Sequence, residues 1–271
     1  MKNDNDVKTN KITASIVIPV YNGSNYLQKN VESLLAQTIK DIEIIIVDDA
    51  STDNTPEIMT DLSKKDSRIR IFFNEVNKGV IKTVNIGARY ASGEYIMFTG
   101  HDDLFLPEHL EMMISDFSED TAFVHCNSIV IDENGTPGRL LKKNSVQKIK
   151  TAAFDKFIYT DNFISSCGLV IRKKIFDDIK GHIEEHRTYG EWMLWIRLSA
   201  LGRVKYNSKI NALYRIHSNN QSKTVLKKDN KGEFSDSLKN HLANCRKKVK
   251  ADKGHNFFNR IFYLIADLFI R

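Results

Sequence analysis

Ser15-Ile16-Val17-Ile18-Pro19-Val20-Tyr21-Asn22 is the stretch on which the fold turns. An unbroken apolar run that closes on polar residues fits a strand buried on both faces, and such strands belong to parallel sheets covered by helices. The pattern returns at Ile44-Ile45-Ile46-Val47-Asp48-Asp49. Between the two runs, Leu27, Val31, Leu34 and Leu35 repeat at helical spacing, with Ser24 as the candidate N-cap. Thr55-Pro56-Glu57 then supplies a cap, a first-turn proline and a first-turn acid for a helix through Leu62. Ile69 to Phe73 reads as a third strand, and Asn77-Lys78-Gly79 as a turn. Val80, Ile81, Val84, Ala88 and Ala91 form one helical face before a fourth strand, Glu94 to Phe98. This alternation predicts an α/β domain with an open, mostly parallel, Rossmann-like sheet and right-handed crossovers.

In such sheets ligands bind beyond the carboxyl ends of the strands, where side chains from separate strands converge. Here those ends carry Pro19-Val20-Tyr21-Asn22, Asp48-Asp49 and His101-Asp102-Asp103. Four carboxylates at two strand ends suit a hard cation, and paired acceptors suit the hydroxyls of a ribose or sugar. The competing reading is that these acids only cap loops and helices.

Beyond Asp103, Pro107 opens a helix whose Leu110, Met113, Ile114 and Phe117 share a face, and Thr121 to Asp132 reads as a long strand closed by the turn Glu133-Asn134-Gly135. Residues 136–162 have weak periodicity and read as a loop. Gly168 to Arg172 is expected as a short strand, Tyr189 to Leu201 as a helix, and Arg203 to Tyr206 and Asn211 to His217 as two strands.

The 271 residues, 41% of them hydrophobic, are ample for a core. No long uncharged apolar stretch is present and the opening residues are polar, which favours a cytoplasmic setting. Cys126, Cys167 and Cys245 are far apart and without metal-ligand spacing, so reduced thiols are expected. The net charge of +6 is uneven: residues 223–271 hold 12 Lys/Arg against 5 Asp/Glu, a balance of +7, and the remainder sums to −1. A neutral body with a basic tail argues against nucleic acid as partner and for peripheral attachment. In the tail, Phe234, Leu238, Leu242, Cys245 and Val249 share one helical face and Phe257, Phe258, Ile261, Phe262, Ile265, Leu268 and Phe269 another, the pattern of an interfacial anchor to anionic lipid. A helix docked on the body or on a second copy is the alternative.

The order and spacing of these pieces resemble the family-2 glycosyltransferases of the GT-A fold, which move a sugar from a nucleotide diphosphate donor to an acceptor with inversion. The resemblance covers about residues 13–222. It rests on residues 15–22, Val31-Glu32-Ser33-Leu34-Leu35-Ala36-Gln37-Thr38, Val47-Asp48-Asp49-Ala50-Ser51-Thr52-Asp53, Asn77-Lys78-Gly79, Asn85-Ile86-Gly87-Ala88, Ala91-Ser92-Gly93-Glu94-Tyr95-Ile96 and Asp102-Asp103. It implies three parts: a polar segment 1–12, a transferase domain 13–222 and a basic helical tail 223–271.

The resemblance implies Pro19, Tyr21 and Asp49 around the donor base, Asp102 toward the ribose and Asp103 on Mn²⁺ or Mg²⁺, which as a Lewis acid neutralises the departing diphosphate. His217, in Tyr214-Arg215-Ile216-His217, falls where the family approaches the diphosphate and could assist the metal or serve structure alone. Glu191, in Tyr189-Gly190-Glu191-Trp192, falls where relatives often place an Asp that acts as general base; otherwise it is a first-turn helix acid. Gly100 departs from the common pattern, in which another Asp stands there, and His101 replaces a small residue and reads as a solvated bystander. Lys78 and Lys82 read as solvated lysines, and Trp192, Trp195 and Leu198 as core.

The donor implied is a UDP-sugar, the acceptor a glycan or lipid-linked saccharide of the cell surface, and the setting cytoplasmic or peripheral on the inner face of the membrane. A scaffold of the same fold without turnover is the alternative. A dinucleotide-dependent oxidoreductase is disfavoured, because the first βα turn lacks Gly-x-Gly-x-x-Gly.

Overall fold

The computed structural model describes residues 11–141, 164–184, 190–218 and 220. The basic tail, Cys245 and most of the segment 136–162 therefore lie outside the described residues. The chain order is β1 (Ala14–Val20), α1 (Leu27–Leu35), β2 (Ile42–Asp48), α2 (Thr55–Lys65), β3 (Ile69–Phe73), α3 (Val80–Tyr90), β4 (Tyr95–Phe98), β5 (Leu104–Phe105), α4 (His109–Ile114), β6 (Thr121–Ile131), β7 (Pro137–Leu140), β8 (Val170–Arg172), α5 (Lys173–Asp178), α6 (Gly190–Ser199) and β9 (Arg203–Arg215).

The strands form one sheet in the order β3-β2-β1-β4-β8-β6-β9-β5, with β7 paired to β6. β3, β2, β1 and β4 run parallel, β8 is antiparallel to β4 and β6, and β9 is parallel to β6. Alternation along each strand divides the core. Ile16, Ile18, Ile44, Ile46 and Met97 pack on one face with Leu27, Val31, Leu34, Met59 and Leu62 of α1 and α2. Val17, Ile45, Val47 and Ile96 pack on the other with Ala88, Phe176, Leu194 and Trp195 of α3, α5 and α6. Each fully buried large apolar side chain stabilises by roughly 1.5–3 kcal/mol.

At the amino ends of the strands, buried Glu43 ties three strands together. It accepts from Ser15 Oγ, from Ser92 N and Oγ, and from Arg70 Nη1, each at 2.7 Å. At the carboxyl ends, Val20 pairs with Asp48, Asp48 with Phe73, and Val17 with Phe98. From β1 the chain first builds outward to β2 and β3, then returns to place β4 on the other side of β1. That reversal creates the crevice at which such sheets bind ligands.

Several boundaries differ from the sequence expectation. The N-cap of α1 is Tyr26, not Ser24, because the Gly23 carbonyl closes the entering turn by accepting from Tyr26 N and Leu27 N. α2 continues past Leu62 to Lys65, and its N-cap is Asn54 rather than Thr55, which is the first helical residue and donates its N–H to Asp53 Oδ1 at 3.0 Å. The strands expected at 203–206 and 211–217 are one, β9, with a register irregularity opposite Cys126/Ser128 where the sequence suggested a break. β7 and the two-residue β5 were not expected; each is held by a long partner, β6 or β9.

Candidate active site

The two acidic pairs follow β2 and β4, the strands on either side of β1, and are held in opposite ways. Asp49 is buried, and its Oδ1 accepts from Asn74 Nδ2 and Lys78 N, its Oδ2 from Gly79 N, each at 2.8 Å. Gly79, with φ +84°, adopts the left-handed conformation that lets the chain enter α3 while presenting this N–H. Asp49 thus pins the turn before α3 to the end of β2. Asp48 accepts from Ser51 N through Oδ2 at 3.1 Å, and its buried Oδ1 has no hydrogen bond among the described residues. Tyr21 is 40% exposed beside this end of the sheet, and Pro19 is half-buried.

The Asp102–Asp103 pair is braced from α1 and β9. Buried Asn30 of α1 donates Nδ2 to the carbonyls of Gly100 at 3.1 Å and Asp103 at 2.8 Å. Asp102 Oδ2 pairs with His217 Nε2 at 2.9 Å and accepts from Asn220 Nδ2 at 3.1 Å, contacts that leave Oδ1 available. Buried Arg215 donates from Nε to the Asp102 carbonyl and from Nη1 to the carbonyls of Asp132 and Glu133. The guanidinium carbon of Arg215 lies 4.9 Å from the centre of the Tyr26 ring, and the His217 ring is also 4.9 Å from it. Asp103 is buried, accepts from Arg215 N at 3.1 Å, and takes a hydrogen bond from the buried Cys167 thiol. Burial, then the adjacent Asp102 charge, push its carboxyl well above the usual range.

Gly100 has a steric meaning. A Cβ at that position would lie 2.5 Å from Asp102 Oδ1, so the absent side chain makes room for the Asp102 carboxylate as it turns to His217. His101 is not a solvated bystander: its imidazole hydrogen-bonds the Pro19 carbonyl and packs against Gly23, and burial lowers its pKa.

Glu191 is exposed in the first turn of α6. A side chain at Gly190 would meet Ile81 Cδ1 at 2.8 Å, so the start of α6 abuts the first turn of α3, directly after the turn that Asp49 pins. Trp195 and Leu198 are core, and Lys78 and Lys82 are exposed, Lys78 contributing through its backbone. Tyr26, Asn30, Asn74, Cys167 and Asn220 were given no site role from the sequence. Each meets its partner across a long sequence separation, Asn220 and Asp102 lying 118 residues apart, so no local pattern exposes them.

A family model for "Glycosyl transferase family 2" matches residues 15–180, and the chain belongs to that family. A protein described as an uncharacterized glycosyltransferase of Rickettsia conorii is 32% identical over 214 residues, 78% of this chain and 35% of the relative. The chain therefore spans about a third of that relative's length. Another, of Haemophilus influenzae, is 27% identical over 255 residues, 91% of this chain and 75% of its own. The crystal structure of S. aureus TarS 1-349 in complex with UDP-GlcNAc superposes with a TM-score of 0.65 at 20% identity, covering 78% of this chain and 61% of that one. This likeness shows the GT-A type of fold: a mostly parallel sheet in its first half, flanked by helices.

The residues can be tested against the divalent cation that the family implies. Among the described residues no group of three or more His, Cys, Asp and Glu side chains forms a ready cage. The Asp102–Asp103 pair nonetheless suits a cation that takes most of its ligands from phosphate oxygens. One carboxylate oxygen is open, and the neighbouring buried carboxylate has an electrostatic cost that a cation would offset.

Proposed function

We propose that this chain is an inverting glycosyltransferase that moves a sugar from a UDP-sugar to a glycan or lipid-linked saccharide of the cell surface. The observation that carries the reading is the placement of Asp49, and of Asp102 and Asp103 with His217, beyond the carboxyl ends of the two strands that flank β1 in a family-2 sheet. Tyr21 and Pro19 line the base, with Asp49 ordering the turn against it. Asp102 takes the ribose, and Asp103 with His217 holds Mn²⁺ or Mg²⁺, which supplies charge neutralisation at the diphosphate. Glu191 accepts the proton of the acceptor hydroxyl as it attacks the anomeric carbon, and the sugar–phosphate bond breaks on the opposite face. The crystal structures of TarS 1-349 in complex with UDP and with UDP-GlcNAc support uridine as the donor base. The charge of +7 on residues 223–271 supports an acceptor met at an anionic membrane surface. The division at residues 12 and 222 belongs to the same reading. No helix among the described residues is long and apolar enough to cross a membrane.

The test is a panel of nucleotide sugars with Mn²⁺ or Mg²⁺, following nucleoside diphosphate release by wild type, Asp103→Ala and Glu191→Gln. Release from one donor, lost in both variants, is the expected result. Donor binding without release, even with a glycan acceptor extract, would instead mark a binding scaffold.

A further inference from the structure

His182 is a buried titratable group to which the proposed chemistry assigns no task, and four elements meet at it. Its backbone is gripped by Asn85 of α3: His182 N donates to Asn85 Oδ1 at 3.0 Å and Asn85 Nδ2 donates to His182 O at 2.9 Å. Its ring stands edge-on to Phe98, 5.6 Å away, and to Phe176 of α5, 6.0 Å away. Phe98 ends β4 immediately before the loop of Asp102 and Asp103. The imidazole also hydrogen-bonds the Gly190 carbonyl. Nδ1 has no hydrogen bond among the described residues, which leaves that task to Nε2. Burial lowers its pKa to about 4, so the ring is neutral near pH 7 and has one N–H to give.

Gly190 is the first residue of α6 and the neighbour of Glu191. The loop that carries His182 is also clamped from within α6, where Arg197 donates from Nη1 to the Gly181 carbonyl at 2.6 Å and from Nη2 to the Ile179 carbonyl. The start of α6 thus has a polar tether through His182 to Asn85, and an apolar stop against Ile81 in the same helix α3. Helix α3 is itself fixed to the donor crevice by Asp49.

We propose that His182 is a positioning residue, which with Asn85 fixes the first turn of α6 and thereby sets where Glu191 meets the acceptor hydroxyl. The inference rests on the reading of Glu191 as general base. Shape alone would need only an apolar ring among Phe98 and Phe176; the tether needs an N–H where Nε2 stands. A misplacement of about 1 Å at a reacting group costs on the order of 10²-fold in rate, so loss of the tether is visible in turnover before it is visible in folding.

The experiment uses the full chain and the donor selected by the panel, measuring kcat, donor KM and UDP binding for His182→Leu, His182→Gln, Glu191→Gln and the double variant His182→Leu/Glu191→Gln. His182→Leu should lower kcat about tenfold or more, with donor KM and UDP binding within about twofold of wild type. His182→Gln, which keeps an N–H near the Nε2 position, should recover most of that loss. In the Glu191→Gln background the leucine substitution should cost nothing further, because the two act as a unit. Full kcat in His182→Leu, or an equal loss in both backgrounds, overturns the positioning role while leaving Glu191 as base. Full kcat in Glu191→Gln overturns the base reading and the proposal with it. If His182→Leu does not fold, Asn85→Ser breaks the same tether from α3 and is held to the same kcat-against-KM criterion.

Discussion

Asp48-Asp49 and Asp102-Asp103 are the same dipeptide following the two strands that flank β1, yet their surroundings give them different physics. Asp49 is satisfied by two backbone N–H groups and an amide, so its buried charge is stabilised by hydrogen bonds and fixes a turn. Asp103 is just as buried but sits beside a second carboxylate, with one backbone donor and a weak thiol donor. Asp49 is saturated as it stands, whereas the Oδ1 of its neighbour Asp48 takes no hydrogen bond among the described residues; Asp103 is the acid that a nearby positive charge would relieve. The difference teaches that burial of an acid is not by itself a sign of chemistry. What counts is how many donors the fold aims at it.

The contrast can be broken by substitution. The largest effect is expected from Asp102→Asn, which keeps the shape but removes the charge paired with His217. Sugar transfer should fall by roughly 10²–10³-fold with the fold intact, read from nucleoside diphosphate release beside a circular dichroism spectrum. Asp49→Ala should act first on stability. Losing the acceptor for Lys78 N, Gly79 N and Asn74 should cost about 2–4 kcal/mol, seen as a lower urea midpoint at unchanged slope.

Asp103→Asn sharpens the comparison by having the opposite sign. In chelator-treated protein, removing one of two adjacent buried carboxylates should leave stability unchanged or raise it by about 1 kcal/mol. Mn²⁺ should raise the melting temperature of wild type, and the same variant should lose that rise. A destabilisation equal to that of Asp49→Ala would erase the distinction between the pairs.

The smallest effect belongs to Glu43, the acid at the opposite end of β2. Burial works to raise its pKa, but the hydrogen bonds from Ser92, Ser15 and Arg70 outweigh it and the net shift is downward. A lowered folded pKa stabilises above the ordinary glutamate range, and that contribution is lost as pH falls through the folded value. Glu43→Gln should therefore cost about 1–2 kcal/mol at pH 7 and progressively less toward pH 3, followed by thermal melts across that range.

The first half of the chain was legible because its signals are local. The runs at residues 15–20 and 44–48 can be little other than strands buried on both faces, and their polar ends then mark the crevice. The second half was less so. β5 and β7 are too short to have a pattern of their own and exist through their pairing with β9 and β6. The apparent gap in β9 is an irregularity in its register with β6, not a loop. His101 looked solvated because nothing near it in sequence shows that Gly23 and Pro19 enclose it.

By itself the sequence determined the α/β alternation, the strand ends that carry the acidic pairs, the uneven charge and the family resemblance, because hydrophobic period and turn chemistry are properties of neighbouring residues. Only the tertiary structure decided that Asp49 is saturated while Asp103 is strained by its neighbour. It alone joined Asp102 to His217 and Asn220, fitted Gly100 to the Asp102 carboxylate, and tied the helix of Glu191 to Asn85 through His182. Those properties depend on donors and charges brought in from distant parts of the chain, and a carboxylate's environment does not exist until the chain has folded around it.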